Sequence, residues 1–344
     1  MYFVTIDCGT TNSRAYVVDA KGTIFGKATK MVGVKDTATT GSKKTLQEGI
    51  REIIQSAIDQ AQLQLTDIQA VFSSGMITSE IGLAEIPHLE APCGIDELAG
   101  NIKSVTDLNI IDGNIPVYFI RGIKNRMNTA GRSATKVVGE LDFMRGEETQ
   151  VMGLLEHPEF SLPAIVLILS SHTKFIPIDA AGLIQGSLTT MSGQIYDAVI
   201  NHTFVGKSVA NDQGESEVKD DFFDSAIVED AIDWIKKAGL VRSLMYPRFL
   251  DVLLHNKWYE RHLFFEALIA AEDMLAIGQL DFLIQTMPSN FYLVGTPERC
   301  RLYMHILERQ FPKAKLGTIS DIREIDELSI KGILRIVKRA GLIG

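Results

Sequence analysis

Apolar and polar positions fall in blocks along this chain, and one set of blocks occurs twice. An apolar run at 3–6 is followed by a hydroxyl-rich stretch, a single cation, Arg14, and a second apolar run at 15–18. The same layout returns as an apolar run at 164–169, Ser170-Ser171, Lys174, and an apolar run at 175–178. Short apolar runs bounded by turn residues predict buried strands. Placing Asp19 on Asp179, an offset of 160 residues, also brings Ala20, Gly22, Ile24 and Gly26 onto Ala180, Gly182, Ile184 and Gly186. Asp-Ala-Lys-Gly and Asp-Ala-Ala-Gly are turn sequences in which Gly supplies a positive φ. Each copy reads as a pair of hairpins with a polar first tip. Such turns are common, so two unrelated hairpins are the plain alternative to a duplication.

Outside the copies the period lengthens. Leu46, Ile50, Ile53, Ile54, Ala57, Ile58 and Ala61 form one stripe of a helix over 43–63. Strands are predicted at 69–73, 115–120 and 290–294. Helices are predicted at 147–155, 192–201, 222–238, 297–310 and 326–339, with a long helical region over 247–277. Strands alternating with helices define an α/β protein whose sheets are covered by helices. A length of 344 residues suggests two domains. No Pro/Gly/Ser-rich linker marks the join, so the duplication sets it, giving 1–160 and 161–344. The last helix is a candidate to pack back on the first domain.

Composition narrows the function classes. Hydrophobic residues at 46% and charged residues at 22% allow sizeable cores. A net charge of −9 argues against a nucleic-acid surface. Cys8, Cys93 and Cys300 are far apart and odd in number, which is neither a disulfide framework nor a metal-ligand spacing. The chain enters a strand at Tyr2, leaving no room for a signal peptide, and no apolar run reaches membrane-spanning length. The expected address is the cytoplasm, with no membrane partner; a homo-oligomer is left open.

The sharpest chemical signal is Asp7-Cys8-Gly9-Thr10-Thr11-Asn12-Ser13-Arg14. A strand delivers a carboxylate at its end, and Gly9 lets the backbone turn tightly and approach a ligand. Thr10, Thr11 and Asn12 offer donors and Arg14 a fixed charge, a set that suits phosphate oxygens. Asp7 beside them suits a Mg²⁺ held mainly through water. A tight hairpin with Asx and hydroxyl turns would use many of the same residues. The second tip, Ser170, Ser171, His172 and Lys174, tips the balance toward phosphate, because one tip from each domain would clamp a polyphosphate.

In both copies the chain resembles the actin, sugar kinase and heat-shock ATPase superfamily, and within it the 2-keto-3-deoxygalactonokinase family. The resemblance rests on Asp7-x-Gly9-Thr10-Thr11-Asn12-x-Arg14, on Gly75-Met76 followed by Glu90-Ala91-Pro92, and above all on the run from Met144 to Gln150. His172-x-Lys174, Ser192-Gly193 and Leu293-Val294-Gly295 extend it over nearly the whole chain. It implies a duplicated actin-like (ribonuclease H-like) α/β fold, with two domains flanking a nucleotide cleft. It also implies Mg²⁺ with ATP, and a sugar acid, 2-keto-3-deoxygalactonate, phosphorylated on its C6 hydroxyl. Gly295 and Thr296 would lie at the adenosine, and Gly75, Met76, Arg145 and Arg121 at the sugar acid. The family usually has Pro-Gly-Thr-His-Ser-Lys-Trp where this chain has Leu169 to Phe175, so Ser170 stands where the family has the Gly of the second phosphate tip. Arg121-Gly122 likewise stands where the family tends to have Pro-Gly.

Phosphoryl transfer to a hydroxyl needs a proton acceptor. Residues 170–174 contain no acid, so Glu147 and Glu148 are the candidates, with Glu148 preferred because it sits one residue deeper in its helix. Glu80 is the next choice. Acids at a helix start are favoured by its dipole regardless of catalysis. His172 serves equally as a hydrogen-bonded turn histidine, and Arg121, Arg132 and Arg145 as ordinary loop arginines. Met191, Phe222, Phe223, Trp234 and Trp258 fit a packed core. A kinase for another sugar acid, or a non-catalytic nucleotide-binding module of the same fold, remain as alternatives.

Overall fold

The computed structural model describes residues 1–106, 108–127, 130–210 and 222–344. The chain runs β1 (Tyr2–Cys8), β2 (Ser13–Asp19), β3 (Ile24–Lys30), α1 (Val34–Thr40), α2 (Lys44–Gln60) and β4 (Ile68–Gly75). It continues with β5 (Leu89–Glu90), α3 (Ile95–Gly100), β6 (Lys103–Ser104), β7 (Val117–Phe119), β8 (Ile123–Lys124), α4 (Ala134–Val137), β9 (Phe143–Met144) and α5 (Glu147–Leu154). The second half comprises β10 (Ala164–Leu169), β11 (Thr173–Ile178), β12 (Leu188–Thr190), α6 (Ser192–His202), α7 (Gly206–Val209) and α8 (Ser225–Ser243). After these come α9 (Tyr246–Val252), α10 (Trp258–Asp273), β13 (Asn290–Val294), α11 (Pro297–Gln310), β14 (Lys315–Ile319) and α12 (Ile322–Arg339).

Two compact units result. Unit 1 holds 1–162, 178–187 and 322–344; unit 2 holds 163–177 and 188–321. Of the second half, then, the turn segment 178–187 and the last helix cluster with unit 1. Backbone explains the first: Cys93 and Ile184 bridge, and the Asn125 side chain exchanges two hydrogen bonds with Ser187. Glycines explain the second. A Cβ on Gly332 of α12 would lie 1.7 Å from Thr149 O, and one on Gly153 of α5 would lie 2.1 Å from Leu328 O. The two helices therefore meet backbone to backbone.

Each unit is built on the same sheet. Unit 1 orders its main sheet β3-β2-β1-β4-β7-β6, and unit 2 orders its sheet β12-β11-β10-β13-β14. In both, the strand beside the hairpin strands, β4 or β13, runs parallel to its neighbours. The duplication holds to the residue. Ser13, Arg14 and Ala15 pair with Lys30, Thr29 and Ala28, while Thr173, Lys174 and Phe175 pair with Thr190, Thr189 and Leu188. All six positions keep the 160-residue offset. The turns repeat as well: Asp19 Oδ1 accepts from Lys21 and Thr23 N–H, and Asp179 Oδ1 from Ala181 and Leu183 N–H. Gly22 and Gly182 adopt φ of 86° and 82°. Two unrelated hairpins would not share register, Asx turn and glycine conformation.

Each unit has its own core. Ile50, Ile54 and Ile58 of α2 are buried with Val4, Ile6 and Val17 in unit 1, and Phe264, Leu268 and Tyr303 with Leu167 and Phe291 in unit 2. The helical stretch expected over 247–277 is three pieces, α9, α10 and a 3₁₀ run Met274–Phe282. It breaks at His255, whose φ of 55° ends helical geometry. The helix expected at 222–238 starts at Ser225, where Asp224 Oδ1 caps it by accepting from Ala226 N–H. Its expected end coincides with a break at Gly239, φ 72°, beyond which helix resumes to Ser243.

Candidate active site

In unit 1 three backbone ends converge on one carboxylate. Asp7 is the last residue but one of β1, Gly75 closes the parallel β4, and Gly146 precedes α5. Gly75 and Gly146 hold φ of 89° and 110°, which only glycine adopts freely. A Cβ on Gly75 would lie 2.5 Å from Cys8 O and 3.3 Å from Asp7 Oδ1. The family motifs around residues 7, 75 and 146 thus wall a single point. Burial raises the Asp7 pKa, Arg14 opposes this, and Glu147 and Asp326 add to it. Arg14 Nη1 lies 3.5 Å from Asp7, and its Nε 3.8 Å from Asp326 of α12, which Lys27 also holds at 2.6 Å. One cation is therefore stretched between two acids.

The tip beyond Asp7 is exposed at Thr10, Thr11 and Asn12, and Gly9 N–H closes it onto Asn12 O at 2.9 Å. It is braced from below. Val34 and Lys35 N–H at the start of α1 donate to Gly9 O and Thr10 O, and a Cβ on Gly33 would sit 2.3 Å from Thr10 O. Unit 2 repeats the brace. Gln194 N–H donates to Ser171 O, and a Cβ on Gly193 would sit 2.4 Å from Ser170 O. Gly33 and Gly193 keep the 160-residue offset, so the repeat runs past the turns into the helix starts.

Glu147 and Glu148 both fold back onto the start of α5. Glu147 Oε2 accepts from Arg145 N–H at 3.0 Å, and both oxygens of Glu148 accept from Gly146 N–H at 2.9 and 2.8 Å. Their environments differ. Glu147 is half-buried, whereas Glu148 is fully buried, and burial followed by the Glu147 charge pushes its pKa up to about 8. Arg145 donates to Thr78 Oγ1 and Ile86 O and approaches His88 Nδ1, and burial lowers its pKa. Arg121 donates to Pro87 O, His88 O and Asn101. Both arginines brace the loop that begins at Gly75 and Met76. Arg132 lies away from this group, paired with Glu140 on the surface. Glu80, also exposed, acts on Arg145 electrostatically.

In unit 2 the corresponding tip borders a cavity of about 670 Å³. Ser170 and Ser171 line it with Tyr196, Trp258, Thr296 and Arg299. Thr296 caps α11, its Oγ1 3.5 Å from Arg299 N. Gly295 is buried, and a Cβ there would lie 2.8 Å from Leu169 Cβ, so it sets the approach of β13 to β10. His172 Nδ1 stands 3.3 Å from Ser171 Oγ. Lys174 is 7% exposed and donates to Thr189 Oγ1 at 2.7 Å. Sequence reasoning missed Asp326 and Arg299. Neither belongs to a motif; only the folded chain brings them to the tips.

Two sheets of one strand order, each ending in a braced polar tip, define the actin-like class of ATPases and sugar kinases. Within it, the family model for 2-keto-3-deoxy-galactonokinase matches residues 7–336, and the chain belongs to that family. A protein of Rhizobium meliloti named probable 2-dehydro-3-deoxygalactonokinase is 24% identical over 209 residues, covering 61% of this chain. The match spans 60% of that relative's length. A crystal structure from Sinorhizobium meliloti, assigned as a 2-dehydro-3-deoxygalactonokinase, superposes with a TM-score of 0.71 at 19% identity, covering 98% of both chains. An activator of 2-hydroxyisocaproyl-CoA dehydratase from Clostridium difficile, solved with ADPNP, gives 0.50 at 13% identity, covering 99% of this chain and 96% of its own. These structural likenesses bear on the fold. Among the described residues no helix is long and apolar enough to cross a membrane.

Proposed function

We propose that this chain is an ATP-dependent sugar-acid kinase that phosphorylates the C6 hydroxyl of 2-keto-3-deoxygalactonate. The observation that carries the reading is Asp7, set at the meeting of β1, β4 and α5 beside the exposed donors of Thr10 to Asn12. Family membership supports the substrate.

Phosphate oxygens would take the Thr10, Thr11 and Asn12 donors, with Arg14 as the nearby positive charge. No cluster of three or more metal-binding side chains occurs among the described residues. That donor set fits Mg²⁺, which keeps most of its waters and needs one carboxylate plus phosphate oxygens. Asp7 would supply that carboxylate, and the bound ion would neutralise charge on the phosphates. Glu147 is the better-placed proton acceptor of the pair, since it is partly exposed and its charge reaches Asp7. The preference for Glu148 gives way on burial, and Glu148 takes the part of anchoring Gly146. In the reaction the C6 oxygen attacks the γ-phosphorus, the bond to the β–γ bridging oxygen breaks, ADP leaves, and Glu147 takes the proton of the C6 hydroxyl. Arg121 and Arg145 hold the Gly75 loop in shape and keep further N–H groups for a carboxylate.

The test is ADP release with Mg-ATP across a panel of sugar acids. Turnover highest with 2-keto-3-deoxygalactonate supports the reading. Turnover highest with a different acid reassigns the substrate, and none with any acid favours a binding module.

A further inference from the structure

The first tip carries its cation on its own strand, as Arg14. At the matching position of the second tip, Lys174 is buried against Thr189. The cation that does reach this tip comes from α11. Arg299 Nη1 donates to Ser170 O at 2.7 Å, and Nη2 lies 3.5 Å from Thr173 Oγ1. The guanidinium also sits 5.9 Å from the Tyr303 ring centre and lines the 670 Å³ cavity. Among the described residues no carboxylate pairs with it. A guanidinium has five N–H groups in a rigid fork, so two neutral acceptors leave donors and a full charge for an anion.

We propose that Arg299, not Lys174, is the phosphate-binding cation of the second tip, reading the phosphate of a nucleoside diphosphate or triphosphate whose base lies against the aromatic wall. This rests on the ATP-dependent reading above. Lys174 then belongs to the sheet, where its ammonium fixes β12 through Thr189.

The measurement is calorimetric titration of the intact chain with ADP and with adenosine, comparing the ratio of the two affinities. Adenosine has no phosphate, so a damaged cavity changes both and leaves the ratio alone. Arg299→Gln should weaken ADP roughly 10- to 100-fold and leave adenosine unchanged. Arg299→Lys, which keeps the charge and loses the fork, should lower the ratio in part. Lys174→Met should keep the wild-type ratio. A wild-type ratio in Arg299→Gln, or a lowered one in Lys174→Met, overturns the assignment. A wild-type chain that binds neither ligand contradicts the nucleotide reading itself.

Discussion

The two copies share a backbone and divide the chemistry. At the first tip β1 carries Asp7 one residue before its end, and Arg14 lies between that acid and Asp326. At the second, the residue 160 positions on from Asp7 is Leu167, fully buried, and Lys174 turns to a neutral threonine. The second tip instead opens on a cavity with an aromatic lining. Register, Asx turn and helix brace are common to both, so these belong to the fold. What differs is one side chain near a strand end and the helices behind it. Duplication supplied two equal platforms, and substitution made one a candidate reaction centre and the other a candidate nucleotide site.

The largest expected effects lie at the first tip. Glu147→Gln should depress kcat by roughly 10²- to 10⁴-fold with the ATP KM little altered. Asp7→Asn should remove the magnesium-dependent part of the thermal protection by ATP, because a ligand stabilises the state it binds. Near-native kcat in Glu147→Gln would move the proton acceptor to Glu80. An unchanged magnesium-dependent shift would dissociate Asp7 from the metal.

A second pair of variants probes the shared platform. Gly33→Ala and Gly193→Ala each place a methyl within 2.4 Å of a tip carbonyl oxygen. Each should cost about 1–3 kcal/mol by overpacking, read as matching losses in chemical denaturation. A loss at one site with none at the other would mean that the two braces are not equivalent.

Much of this plan is legible in the chain. The strands of each copy and the stripe of α2 are local patterns of burial, so periodicity finds them. The three-stranded sheet β5-β8-β9 escapes because its strands are two residues long, too short to show any period. Asp326 escapes because its partner Arg14 lies at the other end of the sequence. Lys174 reads as a tip cation because a sequence shows the charge but not its burial. The candidate base divides the same way: the helix start at Glu147 is readable, but which glutamate stays exposed depends on packing.

A pH dependence separates those glutamates. In the folded chain Glu148 keeps its proton to about 8, against an ordinary value of about 4.3 when unfolded. Between those values the folded state binds more protons, so this group's contribution is best in acid and declines as pH rises toward 8. Glu148→Gln is neutral throughout. Its melting temperature should therefore gain on wild type by a few degrees as pH rises from 5 to 8. A constant difference would mean that Glu148 titrates normally.

The central claim is phosphoryl transfer to one hydroxyl, and phosphorus–proton correlation spectroscopy of the reaction product tests it directly. With 2-keto-3-deoxygalactonate and Mg-ATP, a phosphorus resonance coupled to the two C6 protons should grow in step with ADP. ADP formed without a phosphorylated sugar acid, or phosphorus coupled to any other carbon's proton, would contradict the account.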